Sequence, residues 1–285
     1  MKFVPMHQLL REAMAEGYGI PSFCAWNAES MKIILTLAAE LKAPVILMNG
    51  PGEFGLFGPP ELGAVAHALA QHFEVKAALH LDHGNSLEQV EACLAADYTS
   101  VMLDYSLRPF EENVEALQRA VALAHPRGVS VEGELGVVGR VDSISIEGGG
   151  RSESTLTDPE VAADFVERTG VDALAVSIGN AHGQYTKLPQ FDFERLAKLK
   201  AATGIPLVLH GGSGTPEDDL RRAISLGIAK INVATEMVTA MRESLLAQWS
   251  SGENLWPPMA EARAMKAMAK VVEKWFYLTG AAGRA

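Results

Sequence analysis

Residues 205–217 read IPLVLHGGSGTPE and hold the end of one structural element and the start of another. The apolar run has the composition of a buried strand and ends at His210. After the glycines, Thr215, Pro216 and Glu217 are typical of a helix start, with a capping hydroxyl, a first-position proline and a first-turn acid. The stretch therefore predicts a strand–turn–helix unit with a histidine at the carboxyl end of its strand.

The same alternation of apolar runs and amphipathic stretches continues along the 285-residue chain. Near-continuous apolar runs are typical of parallel strands covered on both faces. They predict strands near 19–24, 44–49, 75–82, 100–104, 129–135, 172–178, 205–210 and 229–234, with helices at 31–41, 87–95, 111–124 and 159–168. We therefore expect a single (β/α)8 TIM barrel domain over residues 1–285 with a C-terminal helical extension. A doubly wound open sheet is disfavoured, because polar residues end most strands rather than clustering at one switch point.

Two segments depart from this alternation. Residues 136–157 lack apolar periodicity, and a loop of this length in a compact domain favours a mobile lid, with an idle surface insertion as the alternative. From Trp249 onward the chain holds three of its four tryptophans together with Phe276 and Tyr277. These aromatic residues predict a capping helix or a subunit interface, and we expect a homodimer or homotetramer.

Composition limits the possible partners and location. A formal charge of −11 and a pI near 5.2 argue against nucleic-acid binding, which usually requires a basic patch. No run of about 20 apolar residues is present, so we expect no membrane span. The two cysteines form no disulfide framework and the N-terminal residues lack the apolar core of a signal peptide, so we expect a cytoplasmic protein.

Three histidines stand at equivalent positions. His83, His182 and His210 each follow an apolar run, where a strand would end, and each precedes a glycine. Three imidazoles at strand ends can bind one Zn²⁺ and leave its fourth position open, as in catalytic sites. His80 lies within the third strand and is interpreted as a hydrogen-bonded supporting residue. Surface or capping roles are predicted for the remaining histidines, His7, His67, His72 and His125.

Carboxylates and glycines surround these histidines. Asp82 and Asp104 end the third and fourth strands, and Glu132 and Glu134 share one face of the fifth. A helix cap is the alternative for Asp104, and a salt bridge inside the barrel is the alternative for Glu132. The backbone N–H groups of glycines after His182 and His210, together with those of residues 232–235, predict a phosphate site after the last two strands.

The motifs together resemble the class II, zinc-dependent ketose-bisphosphate aldolases from about residue 3 to the end of the chain. The resemblance is closest to the tagatose- and fructose-bisphosphate aldolases. It is carried by HLDHG (80–84), SVMLD (100–104), PFEEN (109–113), VSVEGELG (129–136), TDPE (157–160), AHGQY (181–185), LVLHGGSG (207–214) and KINVATE (230–236).

The resemblance implies a role for each matching residue. It implies a catalytic Zn²⁺ on His83, His182 and His210. Asp82 would act on the hydroxyl of the bond being broken. Asp104 and Glu134 would contact a second or displaced cation, divalent or monovalent. The substrate would be a sugar phosphate, and its dihydroxyacetone phosphate half would lie against Gly183, Gly211, Gly212, Ser213, Asn232, Val233, Ala234 and Thr235.

Several positions depart from the family pattern. Cys24 replaces an asparagine, Tyr105 replaces a small residue and Arg140 replaces a lid glycine. Asp142 stands where the family has the glutamate base of the lid, and Ser143 replaces the next acid. Because these changes lie near the aldehyde half, we expect either an aldehyde other than glyceraldehyde 3-phosphate or neutral drift with the ordinary bisphosphate retained.

Three other chemistries are considered. A zinc hydrolase usually carries a His-x-His pair on the first strand, and this chain has none there. A non-catalytic sugar-phosphate-binding barrel is compatible with the altered lid. A Schiff-base mechanism would require an apolar, pKa-lowered lysine, for which Lys230 is the single candidate.

Overall fold

The computed structural model describes residues 2–140, 155–183, 188–251 and 256–285. Its strands are β1 (Ile20–Cys24), β2 (Val45–Asn49), β3 (Ala77–Gly84), β4 (Ser100–Leu103), β5 (Ser130–Leu135), β6 (Gly139–Arg140), β7 (Ala173–Val176), β8 (Ala181–His182), β9 (Leu207–Leu209) and β10 (Ile228–Val233). Eight of them form a closed parallel barrel in the order β1-β10-β9-β7-β5-β4-β3-β2, and β1 also pairs with β2. The predicted TIM barrel is confirmed, and the open sheet is excluded because no strand of the barrel has a free edge.

Helices separate the eight barrel strands and cover the outside of the barrel. They are α1 (Met6–Glu16), α2 (Ala28–Glu40), α3 (Pro59–Ala70), α4 (Leu87–Ala95), α5 (Phe110–Ala124), α6 (Pro159–Thr169), α7 (Phe193–Thr203), α8 (Glu217–Ser225), α9 (Thr235–Ser250) and α10 (Pro257–Leu278). Strands such as β1 and β2 are buried along their whole length, because one face meets these helices and the other fills the barrel.

One predicted helix start is confirmed and the other needs correction. The Asp158 carboxylate accepts hydrogen bonds from the backbone N–H groups of Glu160 and Val161, so it caps α6 as expected. In α8 the N-cap is Pro216, which offers no capping side chain. The prediction that Thr215 caps this helix is therefore wrong, since its hydroxyl lies one residue too early and is buried without a hydrogen-bond partner among the described residues.

The C-terminal helix α10 covers α9, α2 and the first strand. Trp275 and Phe276 are buried, and the Phe276 ring meets Phe23 of β1 edge-on at a centroid distance of 5.3 Å. The predicted capping helix is therefore present. Trp249 and Trp256 remain 53% and 71% exposed, so the predicted subunit interface stays a prediction. Among the described residues, no helix combines the length and apolar character that crossing a bilayer requires.

Candidate active site

His83, His182 and His210 converge at the carboxyl ends of the barrel strands. Their ring centroids lie 4.6 to 5.6 Å apart, and one nitrogen from each lies within 4.8 Å of the others. The Nε2 atoms of His83 and His182 are 3.3 Å apart. The sequence separates these residues by up to 127 positions, and barrel closure brings them to one point. The predicted histidine cluster therefore exists as a geometric unit.

The backbone places two of the three rings in uncommon positions. His83 adopts a left-handed conformation with φ of 49°, next to a register shift between Leu81 and Gly84 in β3. A non-glycine residue in this region is strained, and such strain concentrates at functional sites. His182 lies in β8, a two-residue strand that pairs with β6 rather than with the barrel. Its position therefore depends on the segment that follows β5.

His210 requires a glycine after it. Gly211 has φ of 68°, and a Cβ added there would lie 2.0 Å from the carbonyl oxygen of Ala181. The Asn180 side chain donates a hydrogen bond to the His210 carbonyl and accepts one from the N–H of Ile178. The turns after β7 and β9 are therefore locked together, which fixes His182 and His210 relative to each other.

Carboxylates accept hydrogen bonds from two of the imidazoles, on the side of each ring that faces away from the cluster centre. Nδ1 of His83 donates to Asp104 Oδ2 at 2.8 Å, and Nε2 of His210 donates to Glu132 Oε1 at 2.9 Å. Each bond fixes the tautomer and directs the other ring nitrogen towards the cluster centre, the usual arrangement for metal-binding histidines. Asp104 also accepts from the N–H and hydroxyl of Ser106, and it does not cap α5, whose N-cap is Pro109.

Two buried atoms at the cluster centre lack hydrogen-bond partners among the described residues. Nδ1 of His210 and Oε2 of Glu134 face each other at 3.1 Å without hydrogen-bond alignment. Burial alone would lower the pKa of His210, but the hydrogen bond to Glu132 and the Glu134 carboxylate raise it to about 10. The site therefore favours positive charge next to two atoms that could bind a metal ion and have no hydrogen-bond partner among the described residues. A divalent cation bound by three imidazoles fits this donor set.

Asp104 and Glu134 lie close enough to take part in a second cation site. Ligand atoms of His83, Asp104 and Glu134 all fall within 4.8 Å of one another. Burial opposes ionisation of Asp104, but its hydrogen bond to His83 and the charge there lower its pKa to about 2. The second-cation role of these residues remains a prediction.

Asp82 is oriented by a residue from the opposite end of the chain. The Asn232 side-chain amide donates to Asp82 Oδ1 at 2.8 Å, and Nζ of Lys230 is 3.9 Å from the same oxygen. Burial raises the pKa of Asp82, yet the nearby positive charges at His83 and Lys230 outweigh it and lower the pKa. Asp82 is therefore an ionised carboxylate.

A buried ion pair fills the barrel interior beneath the histidines. Nζ of Lys230 is 2.9 Å from Glu132 Oε2 and donates to Nε2 of His80 at 3.3 Å, with all three side chains fully buried. The salt-bridge interpretation of Glu132 is confirmed, and His80 is hydrogen-bonded as expected, through Nδ1 to Ser100. Because Lys230 is paired with a carboxylate rather than surrounded by apolar groups, it is unsuited to Schiff-base formation.

The predicted phosphate site lies where β9 and β10 lead into α8 and α9. One of the expected free N–H groups is occupied, because the Gly212 N–H donates to the Asn232 carbonyl at 3.1 Å. Gly212 closes the turn, and the prediction that its N–H is free is wrong. The Ser213 hydroxyl accepts from the Glu236 N–H at the start of α9. Phosphate contacts by these turns and by Gly183, Gly211, Val233, Ala234 and Thr235 remain predictions.

Asp142 and Ser143 lie outside the described residues, as does most of the predicted lid. The two ends of that segment are pinned to the barrel. The Val137 N–H donates to the Thr155 carbonyl at 2.9 Å, and the Ser177 hydroxyl donates to the Val137 carbonyl at 3.1 Å. The segment therefore begins and ends beside β7, on the same side of the barrel as His182.

The altered positions Cys24 and Tyr105 lie at strand ends. Tyr105 is half-buried against the core. Cys24 Sγ donates to Glu53 Oε1 at 3.3 Å, and Glu53 Oε2 accepts from the N–H of Gly50 at 2.8 Å. Sequence reasoning missed Glu53; the one available signal was its position four residues after the end of β2, on the loop side of the barrel.

Comparison with known proteins points to one family. The family profile described as fructose-bisphosphate aldolase class-II matches residues 4–284. The YdjI aldolase from Escherichia coli K12 is 35% identical, with a TM-score of 0.88 and 99% of each chain covered. A candidate fructose-1,6-biphosphate aldolase from Coccidioides immitis is 26% identical, with a TM-score of 0.85 over 97% of this chain and 96% of that one.

A fructose-bisphosphate aldolase from Campylobacter jejuni is 22% identical, with a TM-score of 0.85, and covers 100% of this chain and 97% of its own. At that identity the likeness supports the fold alone. The family match over nearly the whole chain and the aldolase neighbours confirm the resemblance noted from the motifs, and the chain belongs to the class II fructose-bisphosphate aldolase family.

Proposed function

We propose that this aldolase is zinc-dependent and reversibly cleaves a ketose phosphate into dihydroxyacetone phosphate and an aldehyde. The observation that carries the proposal is the convergence of three imidazoles, two of them backed by carboxylates, next to the ionised carboxylate of Asp82. A Zn²⁺ ion is the cofactor, and His83, His182 and His210 would hold it. When bound, it supplies the Lewis acidity that stabilises negative charge on the dihydroxyacetone phosphate half.

The protein's own groups move the proton. Asp82 accepts the proton of the C4 hydroxyl as the C3–C4 bond breaks, so that C4 becomes the aldehyde carbon and the bonding electron pair stays with C3. In the direction of condensation the same carboxyl group returns the proton to the new hydroxyl. Asn232 holds Asp82 in position, and the positive charges at His83 and Lys230 keep it ionised. Asp142 is proposed as the base that exchanges the proton at C3.

The phosphate of the dihydroxyacetone half is proposed to bind the turns after β8, β9 and β10. Ser213 and the residues from Val233 to Thr235 lie at the start of α9, where the helix dipole favours an anion. The net negative charge of the chain repels a phosphorylated substrate. Local groups such as this helix N-terminus must therefore supply the attraction.

The aldehyde half is proposed to differ from glyceraldehyde 3-phosphate. Cys24 and its partner Glu53 lie beside Asp82, where the aldehyde would form, whereas the zinc residues match the family pattern. The name of the similar structure from Coccidioides immitis points instead to fructose 1,6-bisphosphate, which is the outcome expected if these changes are neutral. Comparing kcat/KM for fructose and tagatose 1,6-bisphosphates with a panel of ketose 1-phosphates separates the two.

The zinc requirement is tested by chelation and rescue. Metal-free protein should release no triose phosphate from any ketose phosphate of the panel, and one equivalent of Zn²⁺ should restore release. Asp82→Ala should abolish cleavage while zinc content, measured by atomic emission, stays at that of wild type. Asp218→Ala, on the exposed first turn of α8, is the matched control and should retain activity. Undiminished cleavage in EDTA would contradict the proposal.

Two rivals predict different results. A sugar-phosphate-binding barrel would bind dihydroxyacetone phosphate without zinc-dependent turnover, and a zinc hydrolase would release inorganic phosphate or another hydrolysis product instead of a triose phosphate. We further propose that the protein is cytoplasmic and forms a homodimer or homotetramer; light scattering on the purified chain tests the oligomeric state.

A further inference from the structure

A pocket of about 570 Å³ opens next to the proposed aldehyde side of the active site. Cys24, Trp26 and Glu53 contribute to its lining. The rest of the lining comes mainly from α9, whose contributing residues are mostly apolar and include the exposed Trp249 near the end of the helix. Small-molecule sites typically measure about 300–1,000 Å³ and combine apolar walls with a few polar groups, so the size and lining suit a ligand.

Two residues that line the pocket, Cys24 and Glu53, lie near the segment that carries Asp82. Cys24 ends β1 and lies close enough to Asp82 for the Asp82 charge to raise the pKa of its thiol, after the larger effects of burial and Glu53. Gly50 packs against Asp82, since a Cβ added to Gly50 would lie 2.0 Å from the Asp82 carbonyl oxygen. The N–H of that same Gly50 holds Glu53. Glu53 is therefore bonded to a residue that packs against the backbone of Asp82.

We propose, on the basis of the proposed aldolase function, that this pocket receives the aldehyde half of the substrate and selects an uncharged, polyhydroxylated tail over a phosphorylated one. Glu53 is the specificity-determining residue. Both of its oxygens already accept hydrogen bonds, from Cys24 and Gly50, so the carboxylate is held in place on the lining of the pocket. Its remaining lone pairs can accept only from donors, which sugar hydroxyls provide and a phosphate dianion does not.

The remaining walls fit the same class of ligand. Trp26 and Trp249 offer flat apolar surfaces against which the carbon chain of a sugar can pack. Arg242, on the same lining, is solvent-exposed, so its charge is screened and does not cancel that of Glu53. The volume of the pocket also exceeds what a three-carbon aldehyde needs, which favours a longer tail.

The experiment compares kcat/KM for two substrate sets cleaved by the zinc-loaded enzyme. One set contains ketose 1-phosphates of six to eight carbons with an unphosphorylated tail, and the other contains fructose and tagatose 1,6-bisphosphates. Wild type should prefer the first set. Glu53→Gln should reduce that preference by about 10–100-fold through faster cleavage of the bisphosphates, because a like charge is removed. Glu91→Gln, an equal charge change on the exposed face of α4, should leave the ratio unchanged.

A second variant tests the same pocket in case Glu53→Gln does not fold. Trp249→Ala lies on an exposed helix face and should raise KM for the longest tails while leaving kcat and the shortest substrate unaffected. The proposal is overturned if wild type prefers either bisphosphate. It is also overturned if the ratio of kcat/KM between the two substrate sets changes in Arg242→Gln but not in Glu53→Gln. Failure to cleave any substrate of either set with zinc present would instead overturn the aldolase function itself.

Discussion

Replacing Lys230 by methionine should destabilise the barrel more than any surface substitution. Lys230 and Glu132 are both fully buried, and Nζ lies 2.9 and 3.2 Å from the two carboxylate oxygens. Removing one partner of a buried pair leaves an uncompensated charge and costs about 3–5 kcal/mol. Glu132 retains His210, but burial works against its ionisation and Lys230 is the principal group that lowers its pKa to about 2.

The expected shift in melting temperature follows from chain length. At about 2.1 cal/mol/K per residue, 285 residues give an unfolding entropy of about 0.6 kcal/mol/K. A loss of about 3–5 kcal/mol then lowers Tm by about 5–8 °C. The measurement is calorimetry on metal-free protein in excess chelator, because bound zinc would stabilise the folded state by mass action and obscure the difference.

Two further variants separate charge burial from general damage. Lys76→Met breaks the surface pair with Glu12, which is as close at 2.7 Å but has side chains 45% and 37% exposed, and should cost less than about 1 kcal/mol. The double variant Lys230→Met with Glu132→Gln removes both charges and should recover much of the loss. If Lys230→Met melts within about 2 °C of wild type, or if the double variant is no better than the single one, the buried-charge reasoning is refuted.

The remaining predictions concern backbone, capping and thiol chemistry. Gly211→Ala places a methyl group 2.0 Å from a carbonyl oxygen, so the variant should either fail to fold or show no zinc binding in isothermal titration. Gly17→Ala has a φ of 74° but nothing within 4 Å of the added methyl group, so it should lower the free energy of unfolding by only about 1–2 kcal/mol. Asp158→Ala removes the α6 cap and should cost about 1 kcal/mol in denaturant unfolding; an unchanged midpoint would contradict the capping role. Burial and the charge of Glu53 raise the pKa of Cys24, so the thiol should stay protonated at pH 8 and react slowly with a disulfide reagent, faster as pH rises and faster in Glu53→Gln. Rapid native labelling at pH 8 would contradict this.

Much of the fold could be predicted from local sequence. Strand burial, helix periodicity and the cap at Asp158 depend on residues within a few positions of each other, so the alternation of elements is visible without knowledge of the rest of the chain. The three histidines could also be identified, because each ends an apolar run and precedes a glycine. Parallel strands place such ends at one rim of the barrel, so a shared site follows from the fold class.

The tertiary structure alone decided which groups support that site. Lys230 meets His80, and Asn232 meets Asp82, across 150 residues of sequence, because closure of the barrel brings β10 near β3 across its interior. The tautomers of His83 and His210 depend on carboxylates from other strands. Hydrogen bonds and buried charges act over a few ångströms, and sequence spacing does not specify distances between distant segments. The sequence therefore determined the barrel and its histidines, whereas the packing of distant strands determined the charge and orientation of each group.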